Sequence, residues 1–172
     1  MIDRALSVDP LSDFAVLVGQ YADFCKTKFE NVELNLKKYL ESDPPFLWGL
    51  WFLWRTYSFL GKKEEAIQVL KKIFTNVGSI KMVEAINKTT TDNALKTIAF
   101  GMAQSYTTNY SSPYNIATLF AHAGEKEEAL KWLNESINVL DPKSHYLLAD
   151  PDFQILRDDE RFKEYVKRVG LN

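Results

Sequence analysis

The sequence contains one cysteine and two histidines, Cys25, His122 and His145, which are residue types common among nucleophiles, proton carriers and transition-metal ligands. A catalytic thiolate needs a lowered pKa, but Cys25 has only Lys26 and Lys28 as nearby cations and no histidine at local spacing. Two histidines and one cysteine also supply few ligands for a transition metal. The sequence therefore predicts neither a cysteine nucleophile nor a metal centre, and we expect both histidines to be structural or solvated.

Acidic side chains are frequent near the C-terminus, where paired carboxylates would be able to perform acid–base chemistry. The group comprises Asp150, Asp152, Asp158, Asp159 and Glu160. It lies in a segment interrupted by proline, where aspartates also form turns and helix N-caps. The chain has no glycine-rich phosphate loop, because Gly101 and Gly124 stand alone. We favour the structural interpretation of these acids, so the sequence predicts no enzyme and no cofactor.

The most aromatic part of the chain, residues 48–59, allows two interpretations. A helix that is apolar on every side is either buried on every side or presents one face to a partner. Tryptophan, tyrosine and arginine dominate interface hot spots, and this stretch contains three tryptophans and Arg55. Its apolar run ends at Arg55, far short of the roughly 20 residues of a membrane span. Core and binding surface both stay open for residues 48–59, and no membrane span is predicted.

Composition restricts the class of protein further. The chain has 172 residues, enough for one domain with a core. Apolar residues make up 46% and aromatic residues 13%, which excludes a disordered or fibrous chain. The net charge of −2 argues against nucleic-acid binding, which normally requires a basic excess. A single cysteine and a start without a secretory signal indicate a reducing compartment, so we expect a cytoplasmic protein.

The elements that must position these side chains are helices. Apolar residues recur at spacings of three and four, as in Val32, Leu36 and Leu40, and no stretch alternates for long enough to form a sheet. Glycines and prolines interrupt this pattern at intervals typical of single helices. The sequence predicts an all-α fold, with helices near residues 11–25, 29–41, 46–60, 63–76, 79–88, 92–108, 113–123, 126–140 and 158–169.

An internal repeat is visible in the chain. Residues 61–67 and 124–130 are identical at five of seven positions. The glycine permits a tight turn between two helices, and the two acids that follow favour the start of the second helix through its dipole. The alanine, Ala66 or Ala129, allows two helices to approach closely. We therefore expect Ala66 and Ala129 to be buried where two helices cross.

The spacing around these corners resembles the tetratricopeptide repeat. The matching residues are Leu50, Leu53, Trp54, Tyr57, Ala66 and Leu70 at the first corner, and Pro113, Ile116, Ala117, Phe120, Ala129 and Leu133 at the second. Trp54 departs from the pattern, because a small residue is expected there. Residues 110–133 and the closing run 150–171 resemble the C-terminal repeat module of bacterial signalling proteins that carry a cyclase, winged-helix or kinase domain.

This resemblance implies one domain over residues 1–172, a right-handed superhelix of stacked antiparallel helix pairs. Its units would span about 13–44, 47–78, a degenerate 79–110, and 110–142, with a helical cap at 143–172. Phe153, Leu156, Phe162 and Val166 have the spacing to form that cap. Residues 5–12 resemble the end of a preceding repeat, so we expect a fragment of a larger protein. The resemblance implies no catalytic residue and a regulatory or sensing scaffold that binds other proteins.

In such arrays the first helix of each pair lines a concave surface, which would bind a protein or peptide. We expect an apolar or aromatic segment there, oriented by Arg55. The predicted protein-binding residues are Tyr21, Phe24, Trp48, Trp51, Arg55, Phe59, Tyr114, Asn115, Thr118 and His122. One alternative is a structural oligomerisation unit, a homodimer that pairs a linked effector domain. Another is a small-molecule sensor or hydrolase, which would need a buried polar cluster in the groove.

Overall fold

The computed structural model describes residues 13–40, 47–108 and 111–171. These ranges contain α-helices, two 3₁₀ helices and no strand, so the all-α prediction is confirmed. The chain forms two compact units, Met1–Gly78 and Ser79–Asn172. The boundary coincides with the predicted edge between the units at 47–78 and 79–110. The single domain and the superhelical stacking of helix pairs stay predictions.

Unit 1 contains four described helices: α1 (Asp13–Cys25), α2 (Phe29–Tyr39), α3 (Leu47–Phe59) and α4 (Lys63–Asn76). Each helix packs on the next, and α3 also packs on α1. Because α3 has three neighbours, its apolar residues are buried around most of its circumference. The buried core of this unit includes Leu17, Phe24, Val32, Leu36, Leu53, Tyr57 and Ala66.

Unit 2 contains α5 (Ile80–Asn87), α6 (Thr91–Ser105), α7 (Pro113–His122), α8 (Lys126–Asn138) and α9 (Glu160–Arg168). Two 3₁₀ helices, Pro142–Tyr146 and Pro151–Leu156, lie between α8 and α9. Successive α-helices from α5 to α8 pack on one another. The second 3₁₀ helix packs on α7 and α8, and α9 packs on α8. The C-terminal segments thus cover faces of α7 and α8 that would otherwise meet water.

The two copies of the internal repeat form equivalent corners between helices. Gly61 ends the α3 side of one corner at φ +71°, and Gly124 ends the α7 side of the other at φ +78°. Both values lie in the left-handed region that glycine adopts without strain. Ala66 and Ala129 begin the packed faces of α4 and α8, and both are buried. The prediction that these two alanines lie at close helix crossings is therefore supported by their burial.

Most helix boundaries lie within about three residues of those predicted, which is the usual uncertainty of helix ends. The exception is the segment 142–156, for which the sequence predicted no element and which forms the two 3₁₀ helices. The four apolar residues expected in the cap are buried. The predicted feature at residues 5–12 lies outside the described residues.

No described helix combines the length and the apolar character needed to cross a bilayer. The predicted aromatic stretch belongs to α3, which has 13 residues. A span of the hydrocarbon core takes about 20 residues in helical form.

Candidate functional site

The ten predicted binding residues fall into two groups, one in each unit. Unit 1 contains Tyr21, Phe24, Trp48, Trp51, Arg55 and Phe59, and unit 2 contains Tyr114, Asn115, Thr118 and His122. Four of the ten are buried: Phe24, Arg55, Tyr114 and Thr118. The prediction that these four form an open surface is wrong, because neighbouring segments of the same chain cover them.

An aromatic cluster between α1, α2 and α3 explains the burial of Phe24. Its ring contacts Phe29 and Phe59 edge-on, with centroid distances of 5.3 and 5.6 Å. Phe29 and Phe59 stack on each other at 4.5 Å, and Tyr21 packs against Phe52 at 5.4 Å. Such pairs add to the stabilisation from burial alone. The structure therefore brings Tyr21, Phe24 and Phe59 together, but within a packed core.

Arg55 lies inside the same cluster and is only 4% exposed. Its guanidinium carbon is 4.5 Å from the ring centroid of Phe24 and 5.4 Å from that of Phe52. A guanidinium over an aromatic face is held by the negative potential of the ring. The sequence predicted that Arg55 would orient a bound peptide, and this is corrected: the side chain faces the aromatic core of its own unit.

The tryptophans of α3 divide between core and surface. Trp54 is fully buried. The helices around α3 therefore accommodate a large residue at a position where the repeat pattern expects a small one. Trp51 is half-buried and lies edge-on to Trp54, with centroids 5.5 Å apart. Trp48 is 56% exposed. Of the two interpretations of residues 48–59, the core therefore describes most of the stretch, while Trp48 and Trp51 keep area available to a partner.

In unit 2 the predicted face of α7 is covered by the C-terminal 3₁₀ segments. The Tyr114 hydroxyl donates to Oδ2 of Asp150 at 3.0 Å, and its ring lies edge-on to Phe153. Thr118 donates to the carbonyl oxygen of Tyr114, one turn earlier in the helix. The sequence placed Tyr114 and Thr118 on an open concave surface, but both side chains are buried, and Tyr114 lies against Asp150 and Phe153.

His122 and Asn115, on the same helix, also contact the C-terminal segments. Nε2 of His122 lies 2.9 Å from Oδ1 of Asp152. Nζ of Lys143 donates to Oδ1 of Asn115 at 3.0 Å. Tyr114, Asn115 and His122 are thus joined to the C-terminal segments in one structural feature, a polar seam between α7 and residues 141–153, whereas Thr118 bonds within α7.

Two aspartates of this seam, Asp141 and Asp150, are also helix caps. Asp141 precedes the first 3₁₀ helix and accepts from the backbone N–H of Lys143, while its other oxygen is 2.5 Å from Oγ of Ser112. Asp150 precedes the second and accepts from the N–H of Asp152 at 3.1 Å. Each cap is followed by proline at the first helical position, where the missing N–H is not needed. The polar seam is therefore built by Asp–Pro pairs whose carboxylates hold backbone and side-chain donors.

A buried polar cluster was the condition for a small-molecule sensor or hydrolase in the predicted groove. The polar seam is such a cluster, but Asp150 and Asp152 are buried and their carboxylates are engaged by chain atoms. A substrate would have to displace the 3₁₀ segments to reach them. Among the described residues, no group of three or more histidine, cysteine or acidic side chains is arranged to hold a metal ion.

Exposed ion pairs join α8 to α9. Arg161 contacts Glu127 through both terminal nitrogens, at 2.8 and 2.9 Å, and it also contacts Asp159. The hydrogen bonds from Arg161 lower the pKa of Asp159 to about 2, and they also lower the pKa of Glu127. Asp159 caps α9 by accepting from the backbone N–H of Arg161. These groups fix the start of α9 against the start of α8.

The sequence analysis did not identify a group of exposed apolar residues in unit 2. Several large apolar side chains between α8 and the second 3₁₀ helix are exposed: Val139, Leu140, Tyr146, Leu148 and Ile155. Leu140 is the most exposed of them at 84%, and its φ is +56°. The sequence signal that could have identified Leu140 was its position. Just after the end of a helix and before Asp–Pro, the usual residue is glycine or asparagine.

Comparison with known families gives a match to part of the chain. Residues 67–169, more than half of the chain, match the family described as A/B hydrolase-like, N-terminal domain. No curated protein matches the chain. The matched region covers most of α4 and all the helices of unit 2.

This match corrects the resemblance to tetratricopeptide repeats and to the C-terminal module of bacterial signalling proteins. The family found is a different one. The misleading signal was the seven-residue corner at Gly61 and Gly124, whose chemistry serves any tight turn between packed helices. Trp54, which departs from the repeat pattern, was evidence against it.

Proposed function

The chain belongs to the A/B hydrolase-like, N-terminal domain family, and from this we propose that it is a non-catalytic helical domain that binds an α/β-hydrolase-like domain. The observation that carries the proposal is the match over residues 67–169. The family description names a domain that accompanies an A/B hydrolase-like protein. An all-helical unit in that position fits a role in recognition or positioning better than one in the chemical step.

The arrangement of the polar seam supports a non-catalytic role. General acid–base catalysis needs a titratable group within hydrogen-bond reach of a substrate. Asp150 holds the hydroxyl of Tyr114 and a backbone N–H, and Asp152 holds His122. These groups are occupied in joining α7 to the 3₁₀ segments, so their chemistry serves the fold.

The exposed apolar side chains support protein binding. Exposed apolar surface can mark an interaction site, and unit 2 exposes Val139, Leu140, Tyr146, Leu148 and Ile155 within one stretch of the chain. The partner we propose is a protein domain and not a nucleic acid, in keeping with the net charge of −2. The single cysteine supports our further proposal that the protein works in the cytoplasm.

Titration calorimetry tests the proposal. The whole chain is titrated with a recombinant α/β-hydrolase-like domain from a protein in which that domain follows a domain of this family. We expect saturable binding of one partner per chain. An absence of heat and of co-elution in size-exclusion chromatography would contradict the proposal.

Two controls separate the alternatives. Light scattering of the chain alone should show a monomer at high concentration; a dimer that excludes the hydrolase-like domain would favour the oligomerisation alternative. An assay with a small activated ester should show no turnover by the chain beyond buffer. Turnover that His122→Ala abolishes would contradict the non-catalytic role.

A further inference from the structure

Helices α5 and α6 of unit 2 meet at a methionine and a glycine. Helix α5 packs on α6, and the side chain of Met82 on α5 lies over Gly101 on α6. The Cε and Sδ atoms of Met82 are 2.6 and 3.2 Å from where a Cβ of Gly101 would stand. The end of the thioether therefore occupies the space beside the α6 backbone that a side chain at position 101 would otherwise take.

The glycine lies inside α6, which spans Thr91–Ser105. Glycine is unfavourable in the interior of a helix, but it lets another segment approach the backbone closely. Methionine suits such a gap, because its chain is unbranched and its sulfur is polarisable. Met82 and Gly101 thus form a close packed contact between the two helices.

Few other side chains of α5 are buried. Of its eight residues only Ile86 is buried, and Ile80 at its start is 71% exposed. Helix α8, by comparison, buries six residues. An element with few buried apolar side chains opens locally at a low cost in free energy. The attachment of α5 to α6 therefore depends strongly on the contact that Met82 makes.

The two methionines of unit 2 differ in their access to water. Met82 is half-buried, so a small oxidant in solution reaches its side chain, whereas Met102 on α6 is only 7% exposed. Oxidation of methionine to the sulfoxide converts a flexible apolar side chain into a polar one and disrupts its packing. Met82 thus combines access for an oxidant with a contact that oxidation would break.

We propose that Met82 is a redox-sensitive switch that controls the attachment of α5 to α6, with hydrogen peroxide as its oxidant. A lone pair of Sδ attacks one peroxide oxygen, and the O–O bond breaks as the S–O bond forms. The departing hydroxide takes the proton of the transferred oxygen and leaves as water, so sulfur is oxidised by two electrons and the peroxide is reduced. The polar sulfoxide no longer packs against Gly101, and α5 separates from α6.

The switch is reversible, because methionine sulfoxide reductases restore the thioether. In that step two thiols become a disulfide and the sulfoxide oxygen leaves as water. Oxidation of Met82 therefore differs from a permanent lesion, and α5 returns to α6 once the sulfur is reduced.

Peptide mapping by mass spectrometry tests the access of the oxidant. When the whole chain is treated with hydrogen peroxide, Met82 should gain one oxygen about tenfold or more faster than Met102. Equal rates at the two methionines would overturn the proposal, because Met82 would then not be the preferred target.

Hydrogen exchange tests the consequence for α5. In the chain oxidised at Met82, the amides of α5 should exchange about tenfold or more faster than in the untreated chain. A mixture of the two epimer-specific sulfoxide reductases with dithiothreitol should restore the slow exchange. Unchanged exchange in α5 after oxidation of Met82 would show that the sulfoxide does not release the helix, and the proposal would fail.

Met82→Leu is the matched control. Leucine has a similar volume and is not oxidised by peroxide, while Cys25 and Met102 stay in place. The amides of α5 should exchange as in the untreated wild type, both before and after peroxide. Faster exchange in α5 after peroxide treatment of this variant would assign the response to another group and overturn the proposal.

Gly101→Ala tests the contact itself. The added Cβ would stand 2.6 Å from Cε of Met82, so the flexible end of the methionine has to move away from α6. Met82 should therefore be oxidised about two- to fivefold faster in this variant, with the rate at Met102 unchanged. A rate at Met82 equal to that of the wild type would contradict the role of Gly101 in sheltering the thioether.

Discussion

Arg55 carries its positive charge inside unit 1, where the faces of Phe24 and Phe52 contact it in place of water. A cation that is desolvated in this way depends on its aromatic neighbours, and they in turn pack on its flat guanidinium. The side chain is thus part of the core between α1 and α3. Its role is to hold the aromatic cluster in one arrangement.

Replacement of Arg55 should therefore destabilise the protein. We expect Arg55→Ala to lower the free energy of unfolding by about 2 kcal/mol, because the cation–π contacts and the packing of the side chain are both lost. The free energy of unfolding of Arg55→Lys should lie between those of the wild type and Arg55→Ala, since an ammonium cannot stack as a flat group. Urea unfolding measures both, with Lys72→Ala on the exposed face of α4 as control; an Arg55→Ala chain as stable as wild type would contradict the core assignment.

Glu33 forms another residue-scale contact, between α2 and the start of α4. Its carboxylate accepts from Nζ of Lys62 at 2.7 and 2.9 Å and from Nζ of Lys37 at 2.5 Å. Hydrogen bonds from Lys37 and Lys62 hold the pKa of Glu33 below its ordinary value. A lowered pKa means that the ionised form favours folding above the ordinary pKa, and that this contribution disappears as the pH falls through the folded value.

Glu33→Gln should accordingly have a pH-dependent effect. At neutral pH we expect the variant to be less stable than wild type by about 1 kcal/mol. The difference should shrink as the pH falls from neutral through the lowered pKa of Glu33, because protonation then removes the charge from the wild type as well. Thermal melts of both proteins across this range provide the measurement; a difference that grows as the pH falls would have the wrong sign.

Residue-scale features differed in how well the sequence predicted them. The burial of Ala66 and Ala129 followed from their place in a helical stripe next to a corner. The burial of Arg55 did not, because an aromatic helix with one arginine has the composition of both a core and a hot spot. Only the position of α1 over that face of α3 decides between them.

The helix corners at Gly61 and Gly124 show how elements are joined in both units. At each corner the residue after glycine donates its backbone N–H to a carbonyl five residues back, at 2.9 Å. Apart from the glycine and its two chain neighbours, no heavy atom lies within 4 Å of where a Cβ on either glycine would stand. The requirement for glycine is therefore in the backbone and not in the packing.

Substitution at this corner should have a small and predictable effect. Gly124→Ala should cost about 1 kcal/mol of stability, because alanine resists left-handed backbone while meeting no steric clash. Gly124→Asn should cost less, since asparagine tolerates this conformation. Denaturant unfolding of the two variants checks the order; an asparagine variant less stable than the alanine variant would show that packing is involved.

Element-scale prediction succeeded where periodicity was long. The α-helices have two or more turns of apolar residues at spacings of three and four, and their bounds were close to those expected. The two 3₁₀ helices were missed because five or six residues are too short to show a period. The Asp–Pro pairs at their starts are typical of helix N-caps, but they do not indicate which helices these two segments pack on.

At the scale of the whole molecule, the part of the predicted concave groove that α7 would line is covered by the chain itself. Sequence reasoning treated the α7 face as open, because it placed residues 143–172 at the end of an array. The cap was expected to cover the last repeat, and the 3₁₀ helices do pack on α7 and α8. They also cover the α7 face that was expected to be open, and long-range packing of this kind leaves no local signal. The family was also misjudged for this reason, since corners are local features and the arrangement of helices is not.

The return of the C-terminal segments over α7 and α8 leads to a test of how unit 2 is held together. Phe153 is fully buried beside Tyr114, with ring centroids 5.1 Å apart, whereas Ile155, two residues later, is exposed. Phe153→Ala should lower the free energy of unfolding by about 3–5 kcal/mol, because it leaves a cavity over α7.

The control for Phe153→Ala is Ile155→Ala, in the same 3₁₀ helix. Because its side chain is already exposed, this variant should change stability by less than about 0.5 kcal/mol. Hydrogen exchange in α7 and α8 should increase in the Phe153 variant alone, since only that variant uncovers their faces. Equal exchange in the two variants would mean that the second 3₁₀ helix lies on unit 2 without stabilising it.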